Sequence, residues 1–443
     1  MAMFDFGIVE KTYEGGKASF LSFCPQCGWI HVLGQIIIHL KNKGYNITDI
    51  IITENSAIYS KQEQLISAGI LKNVFPLKYF ITKEELKEFI DKAKDEGLLS
   101  RDFDERFVVP HTDELLTILK KFIGREIESD KNKIYNFSFS IYGLGSFRCM
   151  LSFTRGKIML SIRVLPFILP QLVPSSKFDR NNKVDVVTPE PHIAFLDGFF
   201  STEELRIKDK AIKVSSIPTG GLIVHAGATG SGKTTFIAAT LEYLSRKTNG
   251  LIATYEDPIE YVFLTNPRVV QHAIGKDVKR EDIFAHFLRI TPTIGFYHEC
   301  KTPEEFELVI DLASRGHLIL TTIHASNVYE VLNLFTTLRD DVKKVFLSVI
   351  RSIVVHRLVI DEDGVLVPYY EIFYANQSSR PLLNMIMQPD KFSSVFNMLY
   401  KENAYQKAVI KFTDTLEQWR MLGLISPKTE QREKETLARL YGV

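Results

Sequence analysis

Residues 227–234 read Gly227-Ala228-Thr229-Gly230-Ser231-Gly232-Lys233-Thr234 and fit G-x-x-x-x-G-K-[ST] without a mismatch. Their flanks fit as well. Gly221-Leu222-Ile223-Val224-His225-Ala226 reads as a buried strand, and Thr235-Phe236-Ile237-Ala238-Ala239-Thr240-Leu241 as a helix. Strand and helix then keep alternating to about residue 375, which argues for a parallel sheet with helices on its faces. Each fixed position of the loop has a chemical reason. The glycines let successive backbone N–H groups curl around phosphate oxygens, and the helix N-terminus adds its positive dipole end. Lys233 would reach β- and γ-phosphates, the Thr234 hydroxyl would sit on Mg²⁺, and Thr235 continues the binding segment. This chain is expected to bind a nucleoside triphosphate with Mg²⁺.

With 443 residues the chain can bury more than one core, and 45% apolar with 24% charged residues is ordinary for a globular protein. Fifty-four basic against 53 acidic residues leave a net charge of +1, so no global field draws it onto nucleic acid or lipid. Met1 to Glu10 carries Asp5 and Glu10 and lacks the basic-then-apolar pattern of a signal peptide. The apolar run 30–40 is too short and too polar for a bilayer, which takes about 20 helical residues. A cytoplasmic protein is expected, with no membrane-spanning segment, meeting a membrane only through partners. Cys24-Pro25-Gln26-Cys27-Gly28 resembles half of a zinc ribbon; His31 or His39 could complete a site, but no second C-x-x-C exists. The plainer reading is a tight turn with reduced thiols.

The organisation reads as four blocks. Residues 1–165 form an α+β domain with helices over Thr82–Ile90 and Glu114–Phe122, and strands over Tyr135–Ser140 and Phe147–Phe153 joined as a hairpin. Residues 166–200 hold Pro166, Pro170, Pro174, Pro189 and Pro191 in a polar context and read as a linker or insertion. Residues 201–375 carry the P-loop domain. Residues 376–443 read as helical, with the charged stretch Lys428–Arg439 a solvated helix face.

A P-loop alone binds nucleotide; hydrolysis also needs a metal site, a group that positions water and a cation that neutralises developing charge. The strand Gly250–Tyr255 ends in Glu256-Asp257-Pro258-Ile259-Glu260, and strand carboxyl ends are where ligands bind in such sheets. Glu256 or Asp257 would therefore help hold Mg²⁺. The next apolar strand, Ile294–Tyr297, runs into His298-Glu299, which places Glu299 to orient and deprotonate the attacking water. Thr302, Pro303 and Glu305 begin a helix with a capping box, with Phe306, Val309, Ile310 and Ala313 on its buried stripe. His317 and His324 bracket the strand that follows; a histidine at a strand end is more often structural, but His324 falls at the γ-phosphate end.

In this order the motifs resemble those of the PilT/GspE family of secretion and pilus motor ATPases, over about residues 45–375. Thr254–Val262 resembles the family's Asp box, Glu299 falls at its catalytic Walker B glutamate, and Gly316-His317-Leu318 through Thr322-Ile323-His324 resembles its His box. Thr48-Asp49-Ile50, Phe137–Ser140 and Gly145–Arg148 resemble its N-terminal domain, where Arg148, Arg155 and Arg163 fall at arginines that approach nucleotide. The resemblance implies a RecA-like P-loop domain with a mostly parallel sheet, a PAS-like α+β domain before it and a helical segment after it. It also implies catalytic roles for Glu299, Glu256, His324 and His317, nucleotide contacts from 227–235, and Mg²⁺ on Thr234 and Asp257. It further implies a homo-hexamer acting on an inner-membrane platform protein from the cytoplasmic face, without direct nucleic-acid contact. The lack of a long N-terminal extension and of a later Cys-x-x-Cys pair favours a retraction-type, type IVB secretion or conjugative motor. Three departures stand out: Thr291-Pro292-Thr293 replaces Asp-Pro-Asp, His298 replaces the glycine before Glu299, and Lys301-Thr302 replaces Arg-Asp. They motivate an alternative, a catalytically weak nucleotide-binding scaffold of a secretion complex. A nucleic-acid translocase is disfavoured by the balanced charge.

Overall fold

In the computed structural model the chain divides into two compact units, Met1–Ile168 and Leu169–Val443. The structure describes residues 2–4, 8–13, 16–21, 47–53, 58–62, 77–81, 91, 94–95, 134–141, 145–154 and 157–165 of the first unit. Of the second it describes 169–179, 185–200, 202–207, 210–215, 220–263, 266–362, 365–400, 405 and 408–441. The expected helices Thr82–Ile90 and Glu114–Phe122, the apolar run 30–40 and residues Cys24, Cys27, His31, His39 and Arg155 lie outside the described residues.

The first unit contains β1 (Ala2–Phe4), β2 (Ile8–Tyr13), β3 (Gly16–Leu21), β4 (Ile47–Thr53), β5 (Ile58–Gln62), β6 (Leu77–Ile81), β7 (Tyr135–Ile141), β8 (Gly145–Thr154) and β9 (Lys157–Leu165). Seven of them form one sheet in the order β1-β7-β8-β9-β4-β5-β6, with β2 and β3 as a separate hairpin. The sequence hairpin is the antiparallel pair β7/β8. Along β8, Phe147, Cys149 and Leu151 are buried while Arg148 and Met150 are exposed, the period-two alternation of a sheet with one covered face. Arg148 and Arg163 are register partners across β8/β9 and share the exposed face.

The second unit begins inside the proline-rich stretch. β10 (Gln171–Pro174) pairs in parallel with β11 (Asp185–Thr188), and a helix follows over Glu190–Asp197. Leu172, Val186, Val187 and Leu196 belong to the hydrophobic core, and the Tyr370 hydroxyl donates to the Val187 carbonyl at 2.9 Å. The prolines are compatible with this order because of where they fall. Pro174 ends a strand and Pro191 occupies the first helical turn, positions where no ladder or helix N–H is forfeited.

After the hairpin β12 (Thr202–Ile207) and β13 (Lys210–Ser215), the strands are β14 (Gly221–Ala226), β15 (Ile252–Glu256), β16 (Val269–Ala273), β17 (Ile294–Tyr297), β18 (Leu318–Ile323), β19 (Ile350–Ile360), β20 (Leu366–Tyr374) and β21 (Val409–Ile410). They form one sheet in the order β16-β15-β17-β18-β14-β19-β20-β21. Pairing is parallel from β16 to β19 and antiparallel from β19 to β21. Every residue of β14, β15, β17 and β18 is buried, as helices on both faces require. Register aligns Ala226 with Ile323, Tyr297 with Thr321 and Tyr255 with Tyr297, so these four strands finish along one edge.

The C-terminal helices Pro389–Tyr400, Phe412–Met421 and Pro427–Tyr441 pack back on the antiparallel end. Trp419 is fully buried and donates to the Pro368 carbonyl at 2.8 Å. The last helix is not solvated all round: Glu430 is 7% exposed and pairs with Arg420 and Lys434. Among the described residues no helix is long and apolar enough to cross a membrane.

Candidate functional site

The loop 227–232 leaves the carboxyl end of β14 and enters a helix over Lys233–Ser245. Gly230 (φ 79°) and Gly232 (φ 86°) adopt the left-handed conformation that glycine tolerates. At Gly227 space decides as well: a Cβ would lie 2.5 Å from Ser231 Oγ and 2.8 Å from the His356 carbonyl oxygen. No side chain caps the helix start, which leaves the first-turn N–H groups facing the loop. The Ser231 hydroxyl is buried without a partner. Lys233 is 8% exposed and donates to the carbonyls of Gly227 (2.6 Å) and Ala228 (2.9 Å). Burial lowers its pKa, while Glu299 and Glu260 pull the other way. A buried ammonium resting on loop carbonyls, beside uncapped helix amides, fits a polyphosphate. Ala228, Thr229 and Gly230 form the exposed crest; Thr234 is half-buried, and the Thr235 hydroxyl meets the Tyr261 hydroxyl at 2.9 Å.

Glu299 follows the end of β17 and its side chain is 13% exposed. Its carboxylate contacts His324 Nε2 and lies 3.2 Å from Lys301 Nζ. His324 Nδ1 is 3.2 Å from the Gly227 carbonyl oxygen, so both ring nitrogens face oxygen acceptors. Lys233, Glu299 and His324, from three different strand ends, thereby converge on the P-loop. The sheet register brings them together: β17 and β14 both flank β18.

The acidic cluster after β15 divides its labour differently from the sequence expectation. Glu256 is 4% exposed and accepts from Thr254 Oγ1 (2.6 Å) and Gln271 Nε2 (3.0 Å). Burial pushes its carboxyl up to about 7, with those two donors opposing. Both donors reach its Oε1, which is thus engaged within the sheet. Asp257 is exposed and lies 3.7 Å from Arg280. Arg280 also meets Glu305, which accepts from the Tyr297 hydroxyl at 2.8 Å and from the Lys301 and Thr302 amides. Glu260 is the carboxylate whose field reaches Lys233, Glu256 and His298. Glu260 stands within the acidic motif, and its sign opposite a P-loop lysine is the sequence signal for it.

His317 is not brought to this group. It precedes β18, whereas His324 follows it, and a six-residue strand separates them by about 20 Å. His317 Nδ1 bonds the Pro292 carbonyl at 2.6 Å, and its ring stands edge-on to Phe287. Thr291 and Thr293 sit at that same end: Thr291 closes the helix Ile283–Ile290 with φ 43°, and the Thr293 amide bonds the Leu251 carbonyl. The Thr291-Pro292-Thr293 departure therefore lies away from the P-loop group. His298 differs, lying beside Glu299 with a buried Nδ1 that has no partner; burial lowers its pKa, against the pull of Glu260 and Glu299. Thr302 and Glu305 form the expected capping box.

Residues 202–364 match the family model described as Type II/IV secretion system protein. Over 241 residues the chain is 27% identical to the type IV pilus ATPase PilU of Pseudomonas aeruginosa, which covers 53% of this chain and 55% of that protein. The chain thus spans little more than half the length of the curated relatives it matches. The structure of the Legionella pneumophila ATPase DotB superposes with a TM-score of 0.60 at 18% identity, over 94% of this chain and 97% of that one. The pilus retraction motor PilT with bound ADP gives 0.54 at 22% identity, over 86% and 96%. These likenesses show that the chain shares the fold of those two structures.

Proposed function

We propose, from the match of residues 202–364 to the family model described as Type II/IV secretion system protein, that the chain is an ATP-hydrolysing motor of a pilus or secretion system. The observation that carries the proposal is the convergence of Lys233, Glu299 and His324 on one glycine-rich loop. Lys233 exchanges the Gly227 and Ala228 carbonyls for β- and γ-phosphate oxygens, while the uncapped helix amides hold the same phosphates. Thr234 and Asp257 would hold Mg²⁺, which would neutralise charge on the phosphates. Glu299 takes the proton of the attacking water, and His324, between Glu299 and Gly227, registers whether the γ-phosphate is present. Glu256 supports this group from within the sheet rather than by touching metal.

Arg148, Arg155 and Arg163 close on nucleotide from the N-terminal domain, and cycles of closure in a hexamer drive an inner-membrane platform protein from the cytoplasmic side. A second reading, a slow nucleotide-gated scaffold, is favoured by one observation, the bulk of His298 beside Glu299. Steady-state phosphate release by the purified chain tests both. Turnover abolished by Glu299→Gln supports the motor; phosphate release at the level of that variant in the unmodified chain supports the scaffold.

A further inference from the structure

The loop after His324 is held from the far end of the chain. Ser326 and Asn327 lead into the helix Val328–Thr336, where Asn327 caps by accepting from the Glu330 amide at 2.8 Å. The Val328 amide donates at 2.8 Å to Glu371 Oε2, a carboxylate of β20 that is 1% exposed. The Ser326 carbonyl accepts from the Tyr441 hydroxyl at 2.8 Å, at the very end of the last helix. Tyr441 in turn stacks on Tyr400 with an interplanar angle of 3°. Tyr329, on the first turn of the held helix, stacks on Phe392 of the helix that ends in Tyr400. Two side chains remote in sequence thus fix the backbone on either side of Asn327, two to four residues beyond the histidine that touches Glu299.

We propose that Tyr441 and Glu371 are positioning residues for hydrolysis, holding the 325–328 backbone so that His324 stays between Glu299 and the Gly227 carbonyl. The proposal rests on the ATPase reading of the site. It gives the C-terminal helix a part in turnover that no contact with nucleotide supplies. A backbone carbonyl freed at Ser326 lets the loop move, and a histidine displaced by as little as 1 Å loses its alignment with the carboxylate. Nucleotide binding, carried by the P-loop itself, is untouched.

The test uses the full chain with Tyr441→Phe, which removes one hydroxyl and keeps the stacked ring, and Glu371→Met, which keeps the side-chain length and removes the acceptor of the Val328 amide. Tyr441→Phe is expected to lower kcat about three- to tenfold, the worth of one hydrogen bond, with KM for ATP within about twofold. In a His324→Ala background the same change should cost nothing further, because its effect passes through His324. Hydrogen exchange of the peptide spanning 324–330 should quicken in both variants. Unchanged kcat and exchange would sink the proposal, as would an equal fall in kcat with and without His324. If the unmodified chain hydrolyses no ATP, the functional reading fails, and the exchange measurement alone then decides the positioning claim.

Discussion

The two edges of the central sheet carry the same residue types to different ends. At the carboxyl edge of β14, β17 and β18, Lys233, Glu299 and His324 face one another across the P-loop. At the amino edge, His317 bonds the Pro292 carbonyl and packs on Phe287, between Thr291 and Thr293. Histidines seven positions apart in one motif thus serve separate places, because a strand is a spacer of about 3.3 Å per residue. Of the unusual residues, Thr291 and Thr293 lie at the amino edge, whereas His298 and Lys301 stand beside the predicted base.

Breaking the carboxyl edge should have the largest effects. Lys233→Ala removes the buried ammonium that rests on the loop carbonyls, and nucleotide affinity should fall on the order of a hundredfold in a fluorescent-nucleotide titration. Glu299→Gln keeps shape and binding, so kcat should drop roughly 10²- to 10⁴-fold with KM little changed in a phosphate-release assay. His324→Ala should cost about tenfold in kcat. His317→Ala should leave kcat within about threefold and lower the melting temperature by a few degrees, since it loses a bond and a ring contact far from the chemistry. Equal losses for the two histidines would erase the distinction between the edges.

The smallest effect is electrostatic. Burial raises Glu256 from 4.5 to about 7, so between those values the folded chain holds a proton that the unfolded chain releases. Its contribution to stability is therefore lost as pH climbs through that window and is flat above it. Glu256→Gln removes the titration, so its melting temperature relative to the unmodified chain should rise by a few degrees from about pH 5 to about pH 8. Glu371, also pushed up to about 7 by burial, keeps its own share of the slope. A pH-independent difference would mean that Glu256 stays ionised in the fold.

Sequence periodicity and motif order were enough for the parallel strands around the P-loop, the hairpin β7/β8 and the capping box at Thr302, because these depend on neighbours close along the chain. The stretch 166–200 shows the limit. Its prolines read as a connector, yet Leu172, Val186 and Leu196 are core residues, since a proline disrupts order only where its missing N–H or fixed φ is in the way.

The eight residues 227–234, their strand and their helix were determined locally: glycine conformations, a lysine and a hydroxyl need only chain neighbours to present a phosphate cradle. Which carboxylate and which histidine join that cradle was decided by strand order and register alone. β18 lies between β14 and β17, so Glu299 and His324 meet there, Glu256 is drawn into bonds with Thr254 and Gln271, and His317 is left at the opposite edge. Tyr441 reaches Ser326 across 115 positions of sequence for the same reason: packing of the last helix against the sheet is a property of the whole fold, and no local pattern records it.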